Sequence, residues 1–176
     1  SQKPVVKIIL QDQTVVSGSS LTIDGGIISS GPVIINAANE TDGTVNLIGG
    51  DAGDSLTGGV GSDTITGNSG PDLLIGGKGD DQIYGGKGKD RIFGGSGNDL
   101  IDGGPGRDKL YGDKGADTYL ISEGKDKIMA LNLAEGDAIL IPSSVEFIIA
   151  QSRKKSKIIH ANGTVLIKNI SASDLE

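Results

Sequence analysis

Large apolar residues recur every nine positions through the middle of the chain, without a slip. The three residues centred on each of them have the pattern of a short strand, in which the central side chain points to one face and its neighbours to the other. We therefore predict a series of three-residue strands whose central side chains line one interior. These apolar positions are Leu56, Ile65, Leu74, Ile83, Ile92, Ile101, Leu110, Tyr119 and Ile128.

A glycine-rich segment of six residues separates each strand from the next, so that the full unit reads GGxGxDxUx, where U is the large apolar residue. Glycine accepts positive φ and lets backbone carbonyls approach a ligand closely, which suits these segments to reversing the chain. Two reversals make one coil of eighteen residues. The clear copies begin at Gly58, Gly76, Gly85, Gly94 and Gly103, and the looser ones begin at Gly49, Gly67, Gly112 and Ile121.

The departures from the unit, at Ala52, Asn68, Pro71 and Asp113, leave its aspartate untouched. Aspartates two units apart belong to the same edge of the coil, so they form two columns. Successive coils lie about 4.8 Å apart, which brings the carboxylates of a column into mutual repulsion. The first column is Asp54, Asp72, Asp90, Asp108 and Asp126, and the second is Asp63, Asp81, Asp99 and Asp117.

Calcium is the cation that suits these columns, because it takes six to eight oxygen ligands, including carboxylates and backbone carbonyls, in a tolerant geometry. Magnesium demands a stricter octahedral shell, and zinc prefers His or Cys, of which the chain has one and none. Counting adjacent pairs in both columns predicts about seven calcium ions. The alternative, a metal-free solenoid that uses Asp only as a turn residue, accounts poorly for nine unsubstituted positions.

The flanks are also rich in strand signals. Residues 1–48 alternate apolar runs with Gly, Ser and Asn turns, which predicts several short strands. The unit ETDGTVNLI from Glu40 keeps Leu47 in register but has Val45 in the aspartate place. In the tail, three strand-like runs and an Asn162-Gly163 turn predict a hairpin.

The predicted fold class is all-β, a parallel β-roll or right-handed β-solenoid. We place the calcium-binding roll at 49–129, between a strand-rich N-terminal cap at 1–48 and a β cap at 130–176, because a solenoid needs its ends covered.

Composition supports a fold that depends on metal. The 176 residues include 30 Gly, three Tyr, two Phe, no Trp and no Cys, so a conventional core and disulfides are both lacking. Nine medium apolar side chains bury too little surface to offset the entropy that the glycine-rich backbone of the repeats loses when it becomes ordered. We therefore predict that the roll is largely disordered without calcium and folds as it binds the metal.

The charge of −7 disfavours nucleic acid as a partner, because phosphate binding needs a basic field. No apolar run is long enough for a membrane span. The sequence has no HExxH or GxSxG motif, so we predict no enzyme activity. The lone His160 and the run RKKSK at 153–157 are interpreted as structural or solvated, and the GGKG segments lack the GK[ST] of a phosphate-binding loop.

The tandem units from GGVGSDTIT to GGPGRDKLY resemble the RTX (repeats-in-toxin, hemolysin-type) repeats of bacterial proteins exported by type I secretion. The resemblance implies calcium held between successive turns by the aspartates and by loop carbonyls. It also implies folding outside the cell, export through a type I exporter, and a secretion signal in the C-terminal region. In the segment after the roll, Asp126 and Asp137 are the carboxylates of interest. The implied carbonyl ligands belong to Gly58, Gly59, Gly61, Gly76, Gly77, Gly79, Gly85, Gly86, Gly88, Gly94, Gly95, Gly97, Gly103, Gly104 and Gly106.

Three classes of function remain open on the sequence. The leading hypothesis is a calcium-binding module that supports secretion and stability of a secreted or cell-surface bacterial protein. The second is calcium-dependent adhesion or self-association through the roll. The third is an accessory module of a secreted polysaccharide-modifying enzyme, with an acidic polysaccharide as its partner.

Overall fold

The chain folds as an all-β parallel solenoid, which confirms the predicted fold class. The computed structural model describes residues 3–11, 15–28, 30–129, 131–141, 147–152, 155–160 and 163–168. Its strands are β1 Val6–Ile9, β2 Ser20–Asp24, β3 Val33–Asn36, β4 Thr44–Ile48, β5 Ser55–Thr57, β6 Thr64–Thr66, β7 Leu73–Lys78, β8 Gln82–Tyr84, β9 Arg91–Ser96, β10 Leu100–Asp102, β11 Lys109–Lys114, β12 Thr118–Leu120, β13 Gly124–Ile128, β14 Ala138–Leu140, β15 Phe147–Ser152, β16 Lys155–His160 and β17 Gly163–Lys168, with one short helix, α1 Gly25–Ile28.

Two parallel sheets form the opposite walls of the solenoid. Strands β1, β3, β5, β7, β9, β11 and β13 follow one another in the first sheet, and the even-numbered strands β2 to β14 make up the second. From β5 to β11 each strand pairs with the strand eighteen residues further on, as in Leu56 with Leu74 and Ile65 with Ile83. This register confirms that two nine-residue units make one coil.

The interior is a narrow core of stacked apolar side chains between the two sheets, which we call the apolar file. All nine predicted apolar positions are at most 2 % exposed. Tyr119 fills the position where the others are Leu or Ile, and its hydroxyl oxygen accepts the N–H of Gly112 at 2.8 Å. Because each coil contributes two such side chains, the core is continuous along the axis but thin across it.

The N-terminal strands extend the same two sheets. The degenerate unit from Glu40 keeps the register of the repeats, since Leu47 pairs with Ile65 at the eighteen-residue spacing. Further towards the N-terminus the coils lengthen, so that Val6 pairs with Val33, and the short helix α1 lies in one of the longer connections. Both sheets run without a break past residue 48, and the division of the chain at 48/49 stays a prediction.

The C-terminal strands close the first sheet. β15, β16 and β17 form an antiparallel meander, and β17 then pairs in parallel with β13, which places Ile167, 0 % exposed, beneath Ile128. The predicted hairpin between the last two strands is thereby confirmed, although its turn residue Asn162 lies outside the described residues. His160 pairs through its backbone with Gly163. Within the described residues, no helix has the length and apolarity to cross a membrane.

Candidate metal centre

The predicted aspartate columns lie along the two edges of the solenoid, where the chain passes from one sheet to the other. Every one of the nine side chains is buried, with at most 4 % of its surface exposed. In the eight units that begin at Gly49 to Gly112, a strand begins directly after the aspartate, so the strand fixes where the aspartate points. The columns therefore follow from the packing of the apolar file.

One oxygen of each carboxylate is used for a hydrogen-bond ladder along the edge. The N–H of each aspartate donates to Oδ1 of the aspartate one coil further on, for example from Asp81 to Asp99 at 2.9 Å and from Asp90 to Asp108 at 2.8 Å. The remaining steps in the two columns have the same pattern at 2.7–3.0 Å. This ladder aligns the carboxylates, and it leaves Oδ2 for another partner.

The second carboxylate oxygen, Oδ2, is buried without a hydrogen-bond partner at six positions. A buried acceptor without a donor costs about 1–3 kcal/mol, and more when it is charged. Six stacked examples call for a cation, because a cation satisfies the oxygens and cancels their repulsion. The six residues are Asp72, Asp90 and Asp108 in the first column and Asp81, Asp99 and Asp117 in the second.

Backbone carbonyls border the same spaces. A Cβ atom added to Gly76 would meet the carbonyl oxygen of Gly94 at 2.5 Å and would also meet Asp81 Oδ2. The same holds for the first glycines of five other units, each of which keeps open a small space between a carboxylate and a carbonyl oxygen of the next coil: Gly49, Gly58, Gly67, Gly85 and Gly94. These are the two kinds of oxygen that calcium accepts. The donor set of the loops thus fits calcium.

The first two loops differ from those that follow. The N–H groups of Gly50 and Gly59 donate to Oδ2 of the aspartate in their own loop, Asp54 and Asp63, each at 2.7 Å. Neither of these glycines has a positive φ, whereas Gly95, in the same place of a later unit, has φ 118°. The peptide group at this place is therefore turned differently, and the first two aspartates are satisfied without a metal.

The same backbone requirement explains two departures from the repeat. Asn68 and Asp113 occupy the second place of their units, with φ of 70° and 72°. Asn and Asp are the residues other than glycine that tolerate this left-handed region best. The substitutions therefore preserve the loop conformation.

Asp137 belongs to the second column, although it lies outside the nine-residue spacing. Its Oδ1 accepts the N–H of Asp117 at 3.0 Å, which continues the ladder across a twenty-residue step, and its Oδ2 accepts the N–H of Asn132 at 2.7 Å. The sequence drew attention to Asp137 but placed it in no column. Only the fold of the connection before β14 brings it into line.

Glu40 is a buried carboxylate that the sequence did not single out. It is 0 % exposed, its Oε2 accepts the N–H of Val15 at 3.0 Å, and its Oε1 has no hydrogen-bond partner. It occupies the first place of the degenerate unit, where eight of the nine repeat units have glycine, and that substitution is the only signal the sequence offers. Through Val15 it ties the N-terminal segment to the roll.

The glycines predicted to supply carbonyl ligands differ in their surroundings, and Gly76, Gly77, Gly94 and Gly95 lie in the last halves of strands β7 and β9. The oxygen of Gly59 accepts the N–H of Lys78, and that of Gly106 accepts the N–H of Lys125, both at 2.9 Å. The oxygens of first-place glycines such as Gly94 lie beside the aspartate Oδ2 atoms. The assignment of individual carbonyls as ligands stays a prediction.

Burial raises the pKa values of six column carboxylates in the metal-free protein, and neighbouring aspartates add to the effect. The ladder N–H groups oppose the shift without cancelling it. The pKa rises to about 8 for Asp81 and Asp108, to about 7 for Asp72 and to about 6 for Asp90, Asp99 and Asp117.

These pKa shifts predict that acidification raises the stability of the metal-free roll and lowers its affinity for calcium. Because the folded pKa values exceed the unfolded value near 3.8, protonation stabilises the metal-free roll; this stabilisation is complete below about pH 4 and is lost as the pH rises through 6 to 8. Far-UV circular dichroism in calcium-free buffer is expected to show more β structure at pH 5 than at pH 8. Calcium needs the deprotonated carboxylates, so its affinity is expected to fall over the same range. A metal-free roll that loses β structure on acidification would contradict the proposed burial of the columns.

No group of three or more His, Cys, Asp and Glu side chains converges on one point in the described part of the chain.

Comparison with known proteins identifies the repeats. A family profile described as the RTX calcium-binding nonapeptide repeat (4 copies) matches residues 48–83, 66–101, 84–119 and 93–128. These overlapping stretches together cover the loops that contain the six unpartnered Oδ2 atoms. A search of curated protein sequences found no match.

Among solved structures, the chain is similar to the extracellular lipase LipA from Serratia marcescens, with 17% sequence identity and a TM-score of 0.36. The match covers 74% of this chain and 38% of the lipase chain. The chain thus aligns with well under half of that protein, and a likeness at this level indicates neither an activity nor a substrate.

Proposed function

We propose that the chain, whose residues 48–128 match the profile of the RTX calcium-binding nonapeptide repeat, is a non-catalytic module whose folding is driven by six calcium ions. The observation that carries this proposal is the set of six buried Oδ2 atoms without a hydrogen-bond partner. Each of them belongs to the first member of a pair of stacked loops, and each pair supplies a second aspartate one coil further on.

The six sites are the loop pairs that begin with those aspartates. Along the first column they are Asp72/Asp90, Asp90/Asp108 and Asp108/Asp126, and along the second they are Asp81/Asp99, Asp99/Asp117 and Asp117/Asp137. The count from sequence, about seven, included the pairs that begin with Asp54 and Asp63. The N–H groups of Gly50 and Gly59 already satisfy these two carboxylates.

Charge gives the module its dependence on calcium. Without the metal, each column buries several carboxylates at the spacing of adjacent strands, and the thin apolar file offsets little of the cost. When calcium is bound, the carboxylates coordinate the metal and no longer repel one another. Because the sites exist only in the folded roll, the free energy of calcium binding stabilises the folded state. Extracellular calcium modules have dissociation constants of about 10⁻⁴–10⁻³ M, so a chain of this kind stays unfolded in the cytosol and folds after export.

We accordingly assign the module to a secreted or cell-surface bacterial protein that leaves the cell as an unfolded chain through a type I exporter. The secretion signal expected in 130–176 belongs to the same proposal. Folding outside the cell then prevents the chain from moving back through the exporter, and it stabilises the exported protein.

Isothermal titration calorimetry tests the number of sites. Titrating calcium into the full chain is expected to give six equivalents. The variant Asp54→Ala keeps that number, because Asp54 begins no occupied pair, whereas Asp72→Ala reduces it. A stoichiometry below four, or an equal loss of sites in the two variants, would contradict the assignment.

A further inference from the structure

Six basic side chains form a regular array on one edge of the solenoid. They occupy the places just before and just after the first-column aspartates of three successive coils, and all six are exposed. Backbone pairing sets Lys109 directly between Arg91 and Lys127. We call this array the basic ladder; its members are Lys89, Arg91, Arg107, Lys109, Lys125 and Lys127.

The basic ladder is not a general property of the repeat. The equivalent places of the second column contain no Lys or Arg; they are Asp80, Gln82, Asn98, Leu100, Ala116 and Thr118. In a chain of charge −7 this concentration on one edge gives the solenoid a basic side. Like charges on directly paired strand positions destabilise a sheet, so folding alone does not account for the array.

The geometry of the ladder suits an extended anionic chain. Its rungs repeat at the strand spacing of about 4.8 Å, and each rung offers two cations. Arg107, Lys109, Lys125 and Lys127, together with Asp108, border a cavity of about 270 Å³ between two rungs. A linear polymer whose repeating unit is about as long as the rung spacing, and which has one negative group on each unit, can place each negative group at one rung.

Two aromatic side chains lie beside the ladder on the same face. Phe93 and Tyr111 follow Arg91 and Lys109 by two residues, which places them on the same side of the sheet. Their rings stack with centroids 4.5 Å apart and planes at 12°, and the Arg91 guanidinium lies 5.5 Å from the centre of the Phe93 ring. Both are only partly buried. They form a flat apolar strip next to a row of cations.

We propose that this face binds a linear acidic polysaccharide, with its carboxylates on the basic ladder and its sugar rings against Phe93 and Tyr111. A pyranose ring has about the length of one coil step and an apolar face suited to an aromatic strip. Nucleic acid fits less well, because each strand carries one negative charge per about 3.4 Å, a closer spacing than that of the rungs at about 4.8 Å. The site requires the folded, calcium-loaded roll, so it rests on the proposed function.

Binding of hexagalacturonate to the calcium-loaded full chain tests the proposal. This short uronate has one carboxylate on each ring, and maltohexaose is its neutral counterpart. The double variant Lys109→Gln/Lys127→Gln is expected to lower the affinity on the order of tenfold. Its matched control, Lys78→Gln/Lys114→Gln, removes the same charge from exposed positions away from the ladder and leaves the affinity within about twofold.

A third variant separates sugar binding from simple charge attraction. Tyr111→Thr installs the residue that the roll itself has at the same outward place in Thr57, and it is expected to lower hexagalacturonate affinity about three- to tenfold. Equal effects of the two lysine double variants would overturn the proposal, as would tighter binding of oligothymidylate or phosphatidylglycerol vesicles, or no binding by folded protein. Circular dichroism of each variant in calcium keeps the two proposals apart, since a chain that does not fold contradicts the proposed function instead.

Discussion

Replacing Asp99 with Asn is expected to remove two calcium ions, because Asp99 is the second member of one loop pair and the first member of the next. Asn retains an oxygen that accepts the N–H of Asp81, but it loses the charge and presents an amide group where Oδ2 now lies without a partner. With dissociation constants of about 10⁻⁴ M, two lost sites lower the free energy of unfolding by about 5 kcal/mol at 10 mM calcium. Urea unfolding and calorimetry measure the two effects.

The matched control is Asp102→Asn, which removes the same charge from the same coil. Asp102 lies outside both columns, and its Oδ1 accepts the N–H of Gly104, an interaction that Asn preserves. The control is expected to keep six calcium ions and to change stability by less than about 0.5 kcal/mol. If Asp99→Asn behaved like this control, the columns would be turn residues and not metal ligands.

Replacing Gly95 with Ala is expected to prevent the roll from folding even in saturating calcium. Gly95 has φ 118°, and a Cβ there would lie 3.0 Å from the carbonyl carbon and 3.1 Å from the nitrogen of Gly77, besides meeting its oxygen. The obstacle is the backbone of Gly77 in the preceding coil, so relief requires these two coils to move apart. We expect a loss of more than about 4 kcal/mol, visible as a missing β signal in circular dichroism.

Gly18→Ala separates this steric effect from backbone strain. Gly18 also has a positive φ, 77°, but nothing lies within 4 Å of a Cβ built on it. Strain alone costs about 1–2 kcal/mol, so this variant is expected to fold. Equal losses in the two variants would mean that close packing of the coils contributes little to stability.

The sequence was sufficient to predict the solenoid because each unit repeats the same physical demand. Apolar side chains that recur every nine residues can all be buried only in one shared core. Two chain reversals of nine residues each then give eighteen residues per coil. The pairing of Leu56 with Leu74 and the stacking of the aspartates in two columns are therefore predictable from the spacing of residue types alone.

The features that the sequence did not predict depend on contacts between coils. Gly59 and Gly95 occupy the same place of the unit, yet only Gly95 has the positive φ that turns its N–H away from the aspartate. Asp137 joins the second column only because the connection before β14 has the right path. Residue type alone specifies neither feature, and both bear directly on which carboxylates bind calcium.

The N-terminal coils were harder to predict for a similar reason. Their pairing steps vary, since Ile35 pairs with Leu56 and Ser20 with Thr44, so no fixed period marks them in the sequence. Once packing sets the register, the alternation of buried and half-buried side chains continues from the repeats towards the N-terminus. The predicted strands of this region were correct, whereas helix α1 was not anticipated.

The central claim is that calcium folds the roll, and far-UV circular dichroism during a calcium titration of the full chain tests it most directly. Starting from calcium-free protein at neutral pH, we expect a cooperative gain of β signal that is complete once six equivalents are bound. Magnesium at the same concentrations is expected to produce no such gain. A chain that is already fully folded in chelator and shows no response to calcium would contradict the account.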